Sequence, residues 1–150
     1  MTIIRICLLL IIIIFFLPFF SVSCNSQDKG VNFSAFEIST AKNINGNLYN
    51  GNFSGFILII PPVILFILSF LIYKIKNILI YNICKNIFFI LPLFDIFAVF
   101  IIKYAFNIAV LNKLGEIPAL INIKYGFIFY IIFNFLIFIF AVMNYFIKRE

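Results

Sequence analysis

Long apolar runs alternate with short polar ones along this chain. Residues 3–22, 56–73, 87–111 and 126–147 are nearly unbroken Ile, Leu, Phe and Val, whereas 25–55, 74–85 and 112–124 collect most of the Asn, Lys, Gly and Ser. An apolar run of about 18 or more residues reads as a transmembrane helix, because about 20 residues at about 1.5 Å rise cover a hydrocarbon core of about 30 Å. The pattern predicts an all-α membrane protein, a small polytopic helical bundle with three to four transmembrane helices. Residues 1–23 form a signal segment or a first transmembrane helix, and 24–55 an external polar loop. Residues 56–147 form the transmembrane region, with spans at about 56–73, 87–111 and 126–147, and 148–150 a cytoplasmic tail.

Composition points the same way. The chain is 65% hydrophobic and 11% charged, with a mean hydropathy of +1.22, against about 45–50% apolar and about 25% charged in soluble domains. Its net charge of +6 would speak for nucleic acid only if the bases formed one patch on a soluble face. They stand singly at the ends of the apolar runs, where membrane proteins keep their anchors. The expected partner is the lipid bilayer, with no nucleic acid.

The first residues, MTIIR, lead into ICLLLIIIIFFLPFF and then the small residues SVSC, the order of parts in a secretory signal. Ser23-Cys24 resembles the lipobox of bacterial lipoproteins. The resemblance covers residues 1–24 only and is imperfect: Ser21 stands where leucine is expected, with Phe20 one place before it. It implies cleavage before Cys24 and acylation of that cysteine. The residues are equally compatible with an uncleaved helix over 3–22, and both readings stay open at this point.

In the 25–55 segment, Asn45-Gly46 and Asn50-Gly51 mark turns, because both residue types tolerate positive φ. Val31 to Ile38 has the makings of one short strand, which would not be stable alone. The segment therefore reads as an exposed loop or tether. Asn32-Phe33-Ser34 and Asn52-Phe53-Ser54 match the N-glycosylation acceptor pattern, as an Asn-rich segment does by chance. In the next run, Pro61-Pro62 is expected to kink the helix or to set its start.

Counting bases orients the chain. Arg5, Lys74, Lys76, Lys85, Lys148 and Arg149 fall on one side, and Lys29, Lys42, Lys113 and Lys124 on the other, spread over longer connectors. By the positive-inside rule the first group is cytoplasmic. The expected location is a bacterial cytoplasmic membrane, multi-pass, with the C-terminus inside. Tyr73, Tyr81 and Tyr145 then lie near the inner boundary, and Tyr104 and Tyr125 near the outer one.

One span carries an internal acid. Asp95 lies well inside 86–111, and an acid at that depth costs about 2.5–3.5 kcal/mol on the lenient insertion scale, which marks it as a candidate functional residue. Lys103, eight residues on, is about 12 Å away along the helix and close enough to the outer surface to snorkel. Asp95, Ala98, Ile102, Ala105 and Ala109 recur at the spacing of one helical seam, and small residues on a seam let membrane helices approach. Asp95 is thus expected to face another helix, with Asn134 of the last span as a hydrogen-bond partner. The same seam, through Asp95, Ala98, Ala105 and Ala109, would serve contacts with other membrane proteins or self-association.

Other chemistry is thin. The chain has no histidine, which removes His catalysis and His metal ligands, and Cys7, Cys24 and Cys84 lack metal-ligand spacing. No phosphate loop or nucleophile motif appears. No metal, cofactor or catalytic residue is expected. The reading is a non-catalytic helix-packing or accessory subunit; the alternative is an oligomeric pore or a proton- or cation-coupled transport component that uses Asp95.

Overall fold

Pro18 decides how the chain begins. In the computed structural model, which describes residues 2–23, 30–40, 42–44, 47–49, 53–114 and 120–147, the first helix α1 spans Thr2–Ile14 only. Its end tightens into 3₁₀-type bonds, Phe16 N–H to Ile13 C=O and Leu17 N–H to Ile14 C=O at 2.8 Å. The residue before a proline is pushed out of the α region, so the chain turns extended at Pro18. It continues as strand β1, Pro18–Ser23. The expected continuous helix over 3–22 is corrected accordingly. Pro18 sits at the first position of the strand, where its missing N–H does no harm.

β1 is the middle strand of a three-stranded antiparallel sheet, between β2 (Val31–Ser34) and β5 (Leu120–Ile123). The register sets Phe20 opposite Phe33 and Ile123, and Val22 opposite Val31 and Ile121. The expectation of an all-α chain is corrected by this sheet and by a second pairing of β3 (Lys42–Ile44) with β4 (Asn47–Tyr49). Asn45-Gly46, between those two strands, and Asn50-Gly51 lie outside the described residues, as does Cys24.

After β2 the chain enters a five-residue helix, α2 (Ala35–Ser39). Ser34 and Glu37 form a capping box, with Glu37 N–H donating to Ser34 Oγ at 3.1 Å and Ser34 N–H to Glu37 Oε2 at 2.9 Å. The Ser-x-x-Glu spacing is a legible helix start, so part of the expected exposed loop is folded, with Phe33, Ala35 and Ile38 buried.

Three long helical elements follow. α3 covers Ile60–Leu71, with Pro61-Pro62 in its first turn, and 3₁₀ turns extend it at both ends, from Phe53 to Lys74. The prolines therefore start this helix rather than kink it, because they stand in its first turn, where no carbonyl of α3 itself has to receive their N–H. α4 runs Ile78–Leu114, 37 residues. Asn77 caps it, its Oδ1 accepting from Leu79 N–H at 2.9 Å, and so the expected 74–85 turn shrinks to a few residues. α5 spans Tyr125–Ile147.

Among the described residues α1 packs against α5 and α3, and α4 against the same two, which closes a ring of four. The helices alternate in direction. Arg5, near the start of α1, meets Ser69 near the end of α3. α5 begins beside β1, where Lys124 N–H donates to Phe19 C=O at 2.9 Å. The sheet closes one end of the bundle through rings: Phe20 stacks on Phe106 of α4 at 5.2 Å, and Phe33 meets Phe106 edge-on at 5.3 Å. Residues 31–34 and 120–123, from the two connectors placed on one side by base counting, thus share one sheet. The chain is mostly helical, and two of its described helices, α4 and α5, are long and apolar enough to cross a membrane.

The joint between β1 and α5 is tight. A Cβ on Gly126 would meet the Pro18 carbonyl oxygen at 2.6 Å, and backbone on both sides leaves little to yield. Gly126→Ala is expected to lower stability by about 1–3 kcal/mol, the cost of overpacking. Thermal unfolding of the detergent-solubilised protein checks this, and an unchanged midpoint would mean the two segments can part at no cost.

Candidate functional site

The double proline creates a demand that reaches across the bundle. The Leu58 carbonyl would ordinarily accept from the N–H of residue 62, or of residue 61 in a 3₁₀ turn, and both are prolines with no N–H to offer. The next donor along, Val63 N–H, is taken by Ile59 C=O at 3.2 Å. Leu58 is fully buried, and a buried carbonyl without a donor is costly. Tyr130 of α5 fills the gap: its hydroxyl donates to Leu58 C=O at 2.7 Å.

Asp95 of α4 lies against that hydroxyl. Asp95, Tyr130 and Asn134 are each 0% exposed. Asn134, one turn along α5 from Tyr130, donates its amide Nδ2 to the Tyr130 backbone carbonyl at 3.1 Å. The buried stripe of α5 that presents them is Phe127, Tyr130, Asn134 and Ile137, a single face at helical spacing. On α4 the buried stripe is Cys84, Phe88, Asp95, Val99, Ile102 and Phe106. The acid therefore faces another helix, as the seam predicts. Ala98 is buried beside it and Ala105 half-buried, while the Ala109 side chain lies outside what the structure describes. The upper part of the seam passes to Phe106, which holds the sheet.

The polar inventory of this site is one-sided. Neither Asp95 oxygen receives a hydrogen bond, and Asn134 Oδ1 has no donor either. A tyrosine hydroxyl has one hydrogen, and Tyr130 has given its own to Leu58. What it turns to Asp95 is an acceptor oxygen. The contact is chemically matched when Asp95 carries a proton and donates it to Tyr130 Oη, or when a cation shares the oxygens. Asn134 bonds the Tyr130 backbone instead, so the expected Asn134–Asp95 hydrogen bond is not formed. Lys103 is half-buried further along α4 and is no partner of the carboxyl, whose oxygens receive nothing from it.

Two residues of the site escape a reading of the sequence. Tyr130 reads as one more aromatic in a run of Phe and Ile; the signal available is the Pro61-Pro62 pair, which announces an orphan carbonyl but not its donor. Pro92, inside α4 and three residues before Asp95, withholds an N–H from the Phe88 carbonyl and is legible as a break in the span.

A second polar joint ties α1 to α3. Arg5 donates through Nη2 to the Ser69 carbonyl at 2.6 Å and through Nε to Ser69 Oγ at 3.2 Å, and lies 4.1 Å over the Phe70 ring. Searches of protein-family models, curated proteins and solved structures return no match for this chain.

Proposed function

We propose that this is a small multi-pass integral membrane protein, with its C-terminus cytoplasmic, acting as a non-catalytic helix-packing or accessory subunit. The outward faces of the four long helices support the embedding. Ile6, Leu9 and Ile13 of α1, Ile64, Ile67 and Phe70 of α3, Phe97 and Ile101 of α4, and Ile132 and Phe135 of α5 are all exposed. An apolar belt of that extent is intolerable in water and natural against lipid. Residues 2–23 belong to this bundle as a retained segment: Ile4, Leu8, Ile11, Phe15, Phe19 and Phe20 are core residues, and β1 has neighbours on both sides.

The observation that carries the packing role is the complete burial of Asp95, Tyr130 and Asn134 between α4 and α5 of the same chain. Polar groups so placed fix which helices meet and in what register. A second reading, proton- or cation-coupled transport through Asp95, draws on the donor-less oxygens of Asp95 and Asn134. Asp95→Asn distinguishes them, because its amide can still donate to Tyr130 and the fold should persist. In proteoliposomes carrying a pH-sensitive dye, wild type and Asp95→Asn are expected to show the same background proton leak. A wild-type flux that the folded variant loses would replace the packing role by transport.

A further inference from the structure

α4 is longer than any bilayer core needs. Its 37 residues extend about 55 Å, against about 30 Å of hydrocarbon. With Lys103 snorkelling at the outer boundary, the roughly 20 residues that fill the core reach back to about Ile83. The first turns of α4 then lie among the headgroups of the inner leaflet. This stretch is apolar on its outside, with Ile78 78%, Leu79 67% and Ile83 51% exposed. It is bordered by Lys74 and Lys76, both exposed. No acidic residue occurs between Glu37 and Asp95. A shallow, open groove here is lined by Lys76, Asn77, Leu79, Asn82, Ile83 and Asn86, with the ammonium at its outer end and the aliphatic side chains and amides following along the helix.

We infer that this groove is a binding site for an anionic phospholipid of the inner leaflet. The headgroup phosphate lies at Lys76, with Lys74 beside it, at the outer end of the groove. One acyl chain runs along Leu79 and Ile83. Charge complementarity selects this occupant: lysines without acids at the membrane surface attract anionic headgroups, and apolar side chains beside them suit lipid tails.

The site rests on the membrane-embedded reading, and the experiment separates the two. Wild type is first tested for resistance to alkaline carbonate extraction; release from membranes would sink the embedding and the lipid site together. The full-length chain, purified in detergent, is then titrated with phosphatidylglycerol, phosphatidylcholine or inorganic phosphate, and bound lipid is read by native mass spectrometry. Phosphatidylglycerol should bind in preference to phosphatidylcholine. Lys74→Gln with Lys76→Gln should lower that affinity about tenfold to thirtyfold, since each lysine near the surface contributes about 1 kcal/mol. Equal retention of both lipids, or an unchanged affinity in the double variant, would overturn the site in a protein that still resists carbonate. Binding of inorganic phosphate as tight as that of the lipid would make it a simple anion site and overturn the lipid assignment.

Discussion

Tyr130→Phe is expected to destabilise the bundle by about 1–3 kcal/mol, the cost of stranding a buried acceptor. The ring stays, so the packing against Phe19 at 5.7 Å between centroids is kept. Only the hydroxyl is lost, and with it the sole donor to the Leu58 carbonyl among the described hydrogen bonds. The decisive control is Pro62→Ala, which restores the N–H that a helix would normally direct at Leu58. In that background Tyr130→Phe should cost clearly less, giving a coupling of about 1 kcal/mol in a double-mutant cycle. Denaturant or thermal unfolding in detergent reads both. Additive losses would show that the hydroxyl and the prolines are unrelated, and the orphan carbonyl would no longer explain why Tyr130 stands beside Asp95.

Arg5→Met should cost about 2 kcal/mol. It removes two charge-assisted hydrogen bonds to Ser69, of a kind worth about 1.5–3 kcal/mol when well formed. It also removes a cation over the Phe70 ring, worth about 0.5–1 kcal/mol where solvent reaches it. The half-buried setting of Arg5, where water can replace part of both contacts, and the 3.2 Å length of the second bond bring the loss below the full sum, to about 2 kcal/mol. Arg5→Lys should recover only part, because a single ammonium cannot reproduce the two-pronged guanidinium contact. Unfolding of the purified protein measures the loss, and intact mass shows whether residues 1–23 are on the chain. A full-length chain of 17.4 kDa whose stability ignores Arg5→Met would mean that α1 does not clasp α3. A mature chain beginning at Cys24 would mean that α1 and β1 are not part of the working protein.

How much of this was legible depends on what each feature is made of. Apolar run length located α4 and α5, because spanning a bilayer is a local requirement on about 20 consecutive residues. The inward direction of Asp95 was legible too, since a seam at intervals of three and four is a property of one helix. Pro18 was present in the sequence as a reason to end α1, yet the run around it is apolar throughout and invites a single helix. The three-stranded sheet was beyond reach, because Ser23 of β1 pairs with Leu120 of β5, 97 positions further on, and each strand is too short to stand alone.

The sequence by itself determined a strongly apolar chain, its two helices long enough to cross a membrane and the inward face that carries Asp95, because hydropathy and 3.6-residue periodicity act within a segment. Only the tertiary structure decided what meets that acid. Tyr130 stands 35 residues beyond Asp95 and 72 beyond Leu58, and no local rule pairs a hydroxyl with the carbonyl that two distant prolines have left without a donor. That choice is made where three segments converge in a fully buried interior, in which every unfilled hydrogen bond has a cost.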